Sequence, residues 1–450
     1  MTDTPIAVVI LAAGKGTRMK SGLPKVMHRI AGRPMIAHLI DTVSELSPEK
    51  VTVVVGPGMD NVADAVAPHS TCLQETRDGT GGAVKAARAE LEGFEGTVLV
   101  LYGDTPLVRA ETMRAAAAVC APRTDDNDGG AAVSVLGFRP AHFHQYGRLI
   151  TNEEGGLEAI VEAKDASPEE LEVNLCNSGV MAFDGRHLIG LLDRLDTNNA
   201  KNEYYLTETV ALARGDGLPA AVVEGEEDEL LGVNSRADLA LAEAVVQDAL
   251  RARAMENGAT LVAPDTVWFH HDTRLGRDVI VGPNVVFGPG VNVADGVEIR
   301  AFSHLEGATV ESGAVIGPYA RLRPGAKIGA DAHVGNFVEI KNADLGAGAK
   351  ANHLSYIGDA DVGARTNIGA GTITCNYDGF GKYRTTIGNA AFIGSNSALV
   401  APVTIGDGAI VAAGSTISRD VEADALAIER APQDDKPGWA AKFRKLKSKG

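Results

Sequence analysis

An aliphatic residue returns at nearly every sixth position between residues 275 and 417, and this period restricts the possible folds more than any other feature of the chain. The series runs through Leu275, Val281, Phe287 (an aromatic exception), Val293, Ile299 and Leu305, then after a five-residue step through Val310, Ile316, Leu322, Ile328, Val334 and Ile340, and again through Ile387, Ile393, Leu399, Ile405, Val411 and Ile417. A period of six fits neither an α-helix nor a plain β-strand. It is typical of a parallel β-helix with three flat faces and about 18 residues per coil. The irregular stretch 376–384 interrupts the repeat, and we expect a loop that leaves the coil there.

The first part of the chain alternates between two kinds of segment. Apolar runs predict strands at Ile6–Leu11, Val51–Val55, Thr97–Tyr102 and Ala131–Leu136, and alanine-rich stretches predict helices near 34–46, 80–92 and 109–120. This alternation indicates an α/β domain with a largely parallel sheet. Because ligands of such sheets bind at the carboxyl ends of the strands, Gly14 and Asp104, which each follow a strand, are candidate site residues.

A single long helix is predicted between the two kinds of repeat. Ser235 and Asp238 form an S-x-x-D start signal, and apolar residues then recur at helical spacing until the stop signal Asn257–Gly258. The sequence therefore predicts three parts: an α/β domain at 1–236, a linker helix at 237–257, and a hexapeptide-repeat domain with a C-terminal tail at 258–450.

A glycine-rich loop follows the first predicted strand, in the stretch VILAAGKGTRMKSGLPK at 9–25. Gly14 and Gly16 allow the backbone to turn sharply, and successive N–H groups in such a turn can bind an anion. Lys15, Arg18 and Lys25 add positive charge in a chain whose formal net charge is -17. The loop therefore predicts an anionic ligand, although a glycine-rich turn with solvated lysines would have the same composition.

Two familiar phosphate-binding motifs do not match this loop. A P-loop requires G-x-x-x-x-G-K-[ST], but Met19 stands five residues after Gly14. Met19 also occupies the third glycine position of the G-x-G-x-x-G fingerprint, which disfavours a nicotinamide cofactor.

The loop instead resembles the L-x-x-G-x-G-T-R-M…P-K signature of sugar-1-phosphate nucleotidyltransferases. The matching residues are Leu11, Gly14, Gly16, Thr17, Arg18, Met19, Pro24 and Lys25. In that family the loop wraps a nucleoside triphosphate while a sugar phosphate attacks its α-phosphorus.

Nearly the whole chain resembles the family of bifunctional N-acetylglucosamine-1-phosphate uridyltransferases and glucosamine-1-phosphate acetyltransferases. In the repeat region the resemblance rests on the stretches RLRPGA (321–326), HVGNFVEIK (333–341), NIGAGTITCNYDG (367–379) and LVAPVTIG (399–406). It implies a Rossmann-like nucleotidyltransferase domain followed by a left-handed parallel β-helix that forms a homotrimer. It also implies an enzyme that makes UDP-N-acetylglucosamine for cell-wall and lipopolysaccharide precursors. A cytoplasmic location is expected separately, because no targeting segment is visible in the sequence.

The resemblance assigns roles in the uridyltransferase half. Asp104 and Asn234 would bind Mg²⁺, and Arg18 and Lys25 would stabilise the triphosphate and the departing pyrophosphate. The nucleotide would contact Leu11, Ala12, Ala13, Gly14, Gln74, Gly79, Thr80, Tyr102 and Gly103, and the sugar would contact Gly147, Glu162 and Asn177. From the residues alone, Asp104 could instead form a turn or a helix cap, and Asn234 could equally cap the predicted helix.

The resemblance also assigns an acetyltransferase site that uses acetyl-CoA. His353 would be the general base, since histidine exchanges a proton most readily near neutral pH. Arg323 and Lys341 would hold the sugar phosphate, Tyr356 and Asn367 the sugar, and Ala370, Asn376, Tyr377, Ser395, Ala413 and Arg430 the acetyl-CoA.

Two other chemistries remain open for the repeat domain. Cys375 suggests a nucleophile that would form an acyl-enzyme, although His353 is distant in sequence. A zinc site such as that of hexapeptide carbonic anhydrases would need His304, His333 and His353 to converge.

Composition limits the remaining functions. The acidic net charge disfavours nucleic-acid binding, and no apolar stretch is long enough for membrane insertion. Cys72, Cys120, Cys176 and Cys375 form no C-x-x-C pair, so reduced thiols are expected. Two alternatives stay open: a nucleotidyltransferase for another sugar phosphate whose β-helix serves only assembly or regulation, and a scaffold like the translation-factor subunits that share this plan. The partners expected are UTP, acetyl-CoA and the two sugar phosphates.

Overall fold

The computed structural model describes residues 4–121, 130–141, 146–199 and 201–448. The chain divides into two compact units, Met1–Val246 and Gln247–Gly450. This division falls inside a helix, Arg236–Glu256, which lies where the sequence predicts the linker helix. The division into three parts at 236 and 257 stays a prediction.

The first unit contains eleven strands and eight complete helices among its described residues. The strands are β1 (Ile6–Leu11), β2 (Arg29–Ile30), β3 (Arg33–Pro34), β4 (Lys50–Val55), β5 (Ser70–Leu73), β6 (Thr97–Tyr102), β7 (Val133–Phe138), β8 (Arg148–Thr151), β9 (Leu157–Val161), β10 (Cys176–Asp184) and β11 (Ala220–Glu224). The helices are α1 (Met35–Ser44), α2 (Asp60–Val66), α3 (Thr80–Ala86), α4 (Arg88–Leu91), α5 (Ala110–Cys120), α6 (Pro168–Leu171), α7 (Gly185–Asp193) and α8 (Glu208–Gly215), with 3-10 turns at Thr17–Met19 and Lys25–Met27, and α9 (Arg236–Glu256) begins in this unit.

One mixed sheet forms the centre of the first unit, in the order β11-β7-β10-β6-β1-β4-β5. Strands β1, β4, β5 and β6 are parallel, while β10 runs antiparallel to both β6 and β7. The central strands are buried along almost their whole length, because helices cover the parallel part of the sheet. The α/β prediction is confirmed, and the sheet departs from a fully parallel one where β10 lies between β6 and β7 and where β8 pairs antiparallel with β9 and β10.

Most predicted elements have the expected positions. The bounds of β1 and β6 are those predicted, β4 begins one residue earlier, and β7 lies two residues further along than the predicted strand at 131–136. The helix predicted at 80–92 is divided into α3 and α4 at Ala87, whose N–H bonds the carbonyl of Val84.

The start of α9 has the predicted reciprocal cap. The Asp238 N–H donates to Ser235 Oγ at 3.2 Å, and the Ser235 N–H donates to Asp238 Oδ2 at 2.8 Å. These bonds satisfy N–H groups that have no partner inside a helix.

The second unit is a parallel β-helix whose short strands stack coil upon coil. Strands β12–β35 cover, in chain order, Thr260–Leu261, Arg274–Leu275, Ile280–Val281, Val286–Phe287, Asn292–Val293, Glu298–Ile299, His304–Leu305, Ala308–Val310, Val315–Ile316, Arg321–Leu322, Ala326–Ile328, His333–Asn336, Glu339–Leu345, Lys350–His353, Tyr356–Val362, Asn367–Ile368, Ile373–Cys375, Thr385–Ile387, Phe392–Ile393, Ala398–Val400, Val403–Ile405, Ile410–Val411, Thr416–Ile417 and Leu426–Ala427. A 3-10 turn lies at Pro264–Thr266 and helix α10 at Trp439–Lys447.

The register between coils explains the period of six. Val281 pairs with Ile299 and Ile299 with Ile316, so one coil takes 18 residues and the coil with the five-residue step takes one fewer. The aliphatic residues of the repeat point inward and form one continuous buried core along the coils. The predicted β-helix is therefore confirmed, while its left hand stays what the resemblance implies.

The predicted loop at 376–384 is also present. Strand β28 ends at Cys375 and β29 begins at Thr385, and between them Phe380 is 98% exposed. Among the described residues, no helix is both long and apolar enough to cross a membrane.

Candidate active sites

The loop after β1 is shaped around the side chain of Lys25. Gly16 has a φ of 63°, and a Cβ at this position would lie 2.6 Å from the Cβ of Lys25. A side chain at residue 16 would therefore displace Lys25. Met19 is 1% exposed and packs with Ile30 and Met35, so the next turn of the loop is fixed by burial.

A cavity of about 240 Å³ lies at the carboxyl ends of β1, β5 and β6. Ten of the predicted nucleotide-site residues line it: Leu11, Ala12, Ala13, Gly14, Lys25, Gln74, Gly79, Thr80, Tyr102 and Asp104. Gly103 lies beside them, because its N–H donates to the carbonyl of Leu11 at 3.0 Å. Segments far apart in sequence thus meet at one sheet edge, as expected for parallel strands.

Four charged or polar side chains converge beside this cavity. The Lys25 ammonium forms a salt bridge with Asp104 Oδ2 and donates to Asn234 Oδ1 at 3.0 Å. Arg18 Nη2 donates to the same Asn234 oxygen at 2.9 Å. Side-chain exposure is only 14% for Lys25 and 15% for Asp104, so water screens their interaction weakly. Within this cluster, one carboxylate oxygen and one amide oxygen face the ammonium of Lys25, and the amide oxygen also accepts from Arg18.

The helix-capping interpretation of Asn234 does not describe its side chain. The cap of α9 is made by Ser235 and Asp238, while the Asn234 backbone N–H also donates to Asp238 Oδ2 at 2.9 Å. The Asn234 amide nitrogen donates to the carbonyl of Gly232 at 3.2 Å, which orients the amide oxygen toward Lys25. Asp104 is likewise engaged with Lys25 through its carboxylate rather than with a helix end.

Gln74 forms a wall of the cavity and is 6% exposed. Its amide nitrogen donates to Asp78 Oδ1 at 2.9 Å and to the carbonyl of Gly79 at 3.1 Å. Both amide hydrogens are therefore used inside the protein, which leaves the Gln74 oxygen as the atom that can accept from a ligand.

The predicted sugar-binding residues lie around Tyr102. The Asn177 N–H donates to the carbonyl of Gly147 at 2.8 Å, and Asn177 Oδ1 accepts from the N–H of Gly179 at 2.8 Å. A Cβ at Gly179, whose φ is 92°, would lie 3.0 Å from the ring of Tyr102. Burial raises the pKa of Tyr102, and the charge of Glu162 acts in the same direction, so the phenol keeps its proton.

In the second unit, His353 lies at the end of β25 and is held by Asn336 of β23. The His353 Nδ1–H donates to Asn336 Oδ1 at 2.8 Å, and the two residues are paired in register across adjacent coils. With Nδ1 donating, Nε2 carries the lone pair. His353 is exposed, so this nitrogen can accept a proton from a bound substrate.

The predicted acetyl-CoA residues form a column along neighbouring coils. The Asn396 N–H donates to the carbonyl of Ala370 at 2.7 Å, and the Gly414 N–H donates to the carbonyl of Ser395 at 2.8 Å. Arg430 Nη1 donates to the carbonyl of Ala413 at 2.7 Å. The Gly371 N–H reaches the carbonyl of His353 at 3.3 Å, so the column begins beside the predicted base.

A cluster of positive charge lies next to Asp359. Burial alone would raise the pKa of this carboxyl, but hydrogen bonds from Asn342 and Asn376 and the charges of Lys341 and Lys382 hold the pKa below its ordinary value. Interaction with Lys341 lowers the pKa of Lys382, against the opposite effect of Asp359. Lys341 and Lys382 thus place two positive charges beside Asp359.

The remaining predicted sugar-phosphate and sugar residues lie on neighbouring coils of the β-helix. Arg323 Nη1 donates to Glu339 at 2.8 Å, and Glu339 pairs in register with Tyr356. The Asn376 amide reaches the Tyr356 hydroxyl at 3.4 Å. Asn367 lies on β27 and pairs with Lys350, one coil beyond the strand that carries His353.

The two alternative chemistries gain no support. Burial raises the pKa of Cys375, which disfavours the thiolate that a nucleophile requires. Tyr377, which is a predicted acetyl-CoA residue and takes no part in this alternative, is exposed in the loop at 376–384, and its hydroxyl donates to the carbonyl of Gly379 at 2.6 Å. Among the described residues, the one three-residue group able to hold a metal is His270, His271 and Asp272, so His304, His333 and His353 do not converge.

Several residues of both sites were not predicted from the sequence. Val26, Arg77, Ala83 and Glu203 also line the nucleotide cavity. In the second unit, Asn336, Asp359 and Lys382 complete the surroundings of His353 and Lys341. Asn336 could have been found, because it stands one coil before His353. Lys382 lies in the stretch 376–384, which interrupts the six-residue repeat, so the repeat does not predict where its side chain lies.

Comparison with known proteins agrees with this arrangement. Residues 8–167 match the family of MobA-like NTP transferase domains, and residues 307–342 and 384–419 match the six-repeat bacterial transferase hexapeptide family. The chain is 64% identical over 441 residues to the bifunctional protein GlmU of Rhodospirillum rubrum, covering 98% of both chains. It is 59% identical to that of Paramagnetospirillum magneticum, covering 99% of this chain and 98% of the relative, and 51% identical to that of Zymomonas mobilis, covering 99% of both. The chain therefore belongs to the GlmU family of bifunctional proteins.

Proposed function

We propose that the protein acetylates glucosamine 1-phosphate with acetyl-CoA and then transfers UMP from UTP to the resulting N-acetylglucosamine 1-phosphate. The products of the second step are UDP-N-acetylglucosamine and pyrophosphate. The observation that carries this proposal is that each unit has its own constellation: Lys25, Asp104 and Asn234 in the first, and His353 held by Asn336 in the second. A scaffold protein would need neither of these two sets of side chains.

In uridylyl transfer, a phosphate oxygen of the sugar phosphate attacks the α-phosphorus of UTP, and the bond to the bridging oxygen of the β-phosphate breaks. Such a reaction depends mainly on positioning and on stabilisation of charge. Arg18 and Lys25 would neutralise the charge that develops on pyrophosphate. Gly14 and its neighbours in the loop would offer backbone N–H groups to the phosphates.

The donor set of the first site fits Mg²⁺. Asp104 Oδ2 and Asn234 Oδ1 both contact the single ammonium of Lys25, so the two oxygens can face one cation. Mg²⁺ prefers oxygen ligands, takes few of them from protein, and when bound would withdraw charge from the phosphates. Removal of divalent cations with EDTA should reduce uridylyl transfer to background and leave acetyl transfer unchanged. Full uridylyl transfer in EDTA would contradict the Mg²⁺ proposal.

In acetyl transfer, the amine of glucosamine 1-phosphate attacks the thioester carbonyl carbon, and the C–S bond breaks. His353 Nε2 would take a proton from the amine and could return it to the departing thiolate of CoA. Arg323, Lys341 and Lys382 would bind the sugar phosphate through their charge. The column formed by Ala370, Ser395, Ala413 and Arg430 would receive the acetyl-CoA.

The proposed assembly is a homotrimer in the cytoplasm. The assembly is supported in this chain by a row of three stacked and exposed aromatic rings on successive coils of the β-helix. Phe302 stacks on Tyr319 with centroids 4.9 Å apart, and Tyr319 stacks on Phe337 at 5.2 Å. All three rings are about half exposed, and Leu354, beside His353, follows one coil later. Exposed apolar stripes of this kind are typical of interaction surfaces, and light scattering of the full chain would measure the oligomeric state.

One reaction mixture tests the proposed function. It contains the purified protein, glucosamine 1-phosphate, acetyl-CoA, UTP and Mg²⁺, and mass spectrometry follows the products. We expect N-acetylglucosamine 1-phosphate as a transient and UDP-N-acetylglucosamine as the final product. A uridylylated product without acetylation would favour a nucleotidyltransferase for another sugar phosphate, and absence of any product would favour a scaffold.

A further inference from the structure

We propose that Arg77 is a positioning residue for uridylyl transfer, which holds the glycine-rich loop in place and supplies a fixed positive charge to the outer phosphates of UTP. The inference rests on the proposed function of the first unit. It adds a residue that belongs to neither the loop signature nor the set of predicted nucleotide contacts.

Arg77 connects the glycine-rich loop to the segment that follows β5. Its Nε donates to the carbonyl of Ala13 at 3.1 Å. The backbone of the loop is tied to the sheet as far as Ala12, whose N–H donates to Val54 at 2.8 Å, and hydrogen bonding resumes where the Met19 N–H donates to Gly16 at 2.9 Å. The Arg77 bond thus reaches the loop between these two anchored points.

The guanidinium occupies space that a glycine leaves open. A Cβ at Gly56 would lie 3.1 Å from Arg77 Nη2 and 3.0 Å from the carbonyl oxygen of Ala13. Gly56 directly follows β4, so Arg77 packs where the segments after β1, β4 and β5 meet. The planar guanidinium can donate to a carbonyl from Nε and still present other N–H groups to an anion.

Arg77 also lies on the boundary of two cavities. It lines the cavity of about 240 Å³ that contains Lys25 and Asp104. It also lines a neighbouring cavity of about 440 Å³ together with Lys15 and Asp60. Lys15, Lys25 and Arg77 therefore supply three positive charges around the loop, and the carboxylates that line the same two cavities are those of Asp60, Asp104 and Glu203.

This placement fits a triphosphate better than a nucleoside. If the α-phosphate reacts beside Lys25, the β- and γ-phosphates, which become the leaving pyrophosphate, would extend toward the cavity that Lys15 and Arg77 line. Charge that is fixed before the reaction stabilises a leaving anion without reorganisation. Arg77 would hold the loop through Ala13 and attract the outer phosphates through its remaining N–H groups.

Three substitutions separate these two contributions in the full-length protein. R77Q keeps a side-chain N–H donor and removes the charge, R77K keeps the charge and removes the planar donor, and R77A removes both. R194Q is the matched control, because Arg194 is an exposed arginine of the same unit that pairs with Asp216. Each variant is assayed for uridylyl transfer with varied UTP and with varied N-acetylglucosamine 1-phosphate, and for acetyl transfer.

We expect R77A to lower kcat/KM for UTP by about 10- to 100-fold, with smaller losses in R77Q and R77K. R194Q should match the wild type, and acetyl transfer should be unchanged in all variants. The KM for N-acetylglucosamine 1-phosphate should change little, because the proposed contacts are with the triphosphate.

Two results would overturn the inference. One is wild-type kcat/KM for UTP in R77A. The other is an equal loss for both substrates that neither R77K nor R77Q restores in part, which would show a merely structural role. Failure of the proposed function itself would be seen separately, as a wild-type protein that produces no UDP-N-acetylglucosamine.

Discussion

In the first unit the predicted site residues come from segments far apart in the chain, whereas in the second unit they recur one or two coils apart. Gly14, Gln74 and Asp104 meet because β1, β5 and β6 end at the same sheet edge. His353 meets Asn336 because the two residues are in register on adjacent coils. One site depends on sheet topology and the other on a one-dimensional repeat.

The difference extends to the way each site is held. In the first unit, charged and polar side chains bind one another across long sequence separations, as Lys25 binds Asp104 and Asn234. In the second unit, backbone hydrogen bonds between coils place the functional residues, as with Ser395 and Gly414. We therefore expect the first site to be sensitive to single charges and the second to the register of its coils.

The strongest test of separate sites is Asp104→Ala. The substitution removes the carboxylate that faces Lys25 and the proposed Mg²⁺, so uridylyl transfer should fall by about 10³- to 10⁵-fold. Acetyl transfer should not change, because His353 lies in the other unit. Chromatography of UDP-N-acetylglucosamine and release of free CoA thiol measure the two activities on one preparation. Asp104→Asn keeps the shape of the side chain, and equal loss of both activities in this variant would contradict the separation.

The reciprocal variant is His353→Ala. Loss of a general base typically lowers a rate by 10²- to 10⁴-fold, and we expect acetyl transfer to fall within this range. Uridylyl transfer from supplied N-acetylglucosamine 1-phosphate should remain at the wild-type rate. Near-normal acetyl transfer in His353→Ala would show that another group, or solvent, takes the amine proton.

The sequence predicts which backbone segments form the two sites, but it does not predict which side chains contact one another there. The loop after β1, the Gly103–Asp104 turn and the coils that carry His353 could be predicted, because strand ends and the six-residue period are properties of the local pattern. Arg77 could not, since its bond to Ala13 depends on the packing of three segments that the sequence does not bring together.

The hydrogen bonds inside the nucleotide cavity also could not be predicted from the sequence. The sequence predicts a contact between Gln74 and the nucleotide, but it does not predict that the Gln74 amide nitrogen donates to Asp78 and Gly79. Lys382, in the loop at 376–384, interacts with Lys341 of β24, a contact that the six-residue period does not predict. The hydrogen-bond and charge partners of such side chains depend on tertiary contacts, which the local sequence pattern does not determine.

A core substitution in the β-helix should affect the two activities unequally. Ile316 is fully buried, and Ile316→Ala should lower the free energy of unfolding of the second unit by about 2–5 kcal/mol. Acetyl transfer should then be lost at a lower temperature, while uridylyl transfer keeps its wild-type temperature dependence. The control is Ile280→Ala on the same face, where the isoleucine is 46% exposed. An equal effect of the two substitutions would show that inward burial does not stabilise the coils.

The smallest expected effect concerns the bond that orients His353. Asn336→Ala removes the acceptor of the Nδ1–H, so the ring no longer has a fixed tautomer, and kcat for acetyl transfer should fall by about tenfold, as expected for loss of one hydrogen bond. The KM for acetyl-CoA should change little, because Asn336 lies outside the column that begins at Ala370. Asn336→Asp keeps an acceptor oxygen and should restore part of the rate. The control is Asn292→Ala, an exposed asparagine on another strand of the β-helix. If Asn336→Ala changed KM and left kcat unchanged, Asn336 would contact substrate rather than orient the base, and the register of the coils would serve binding instead of catalysis.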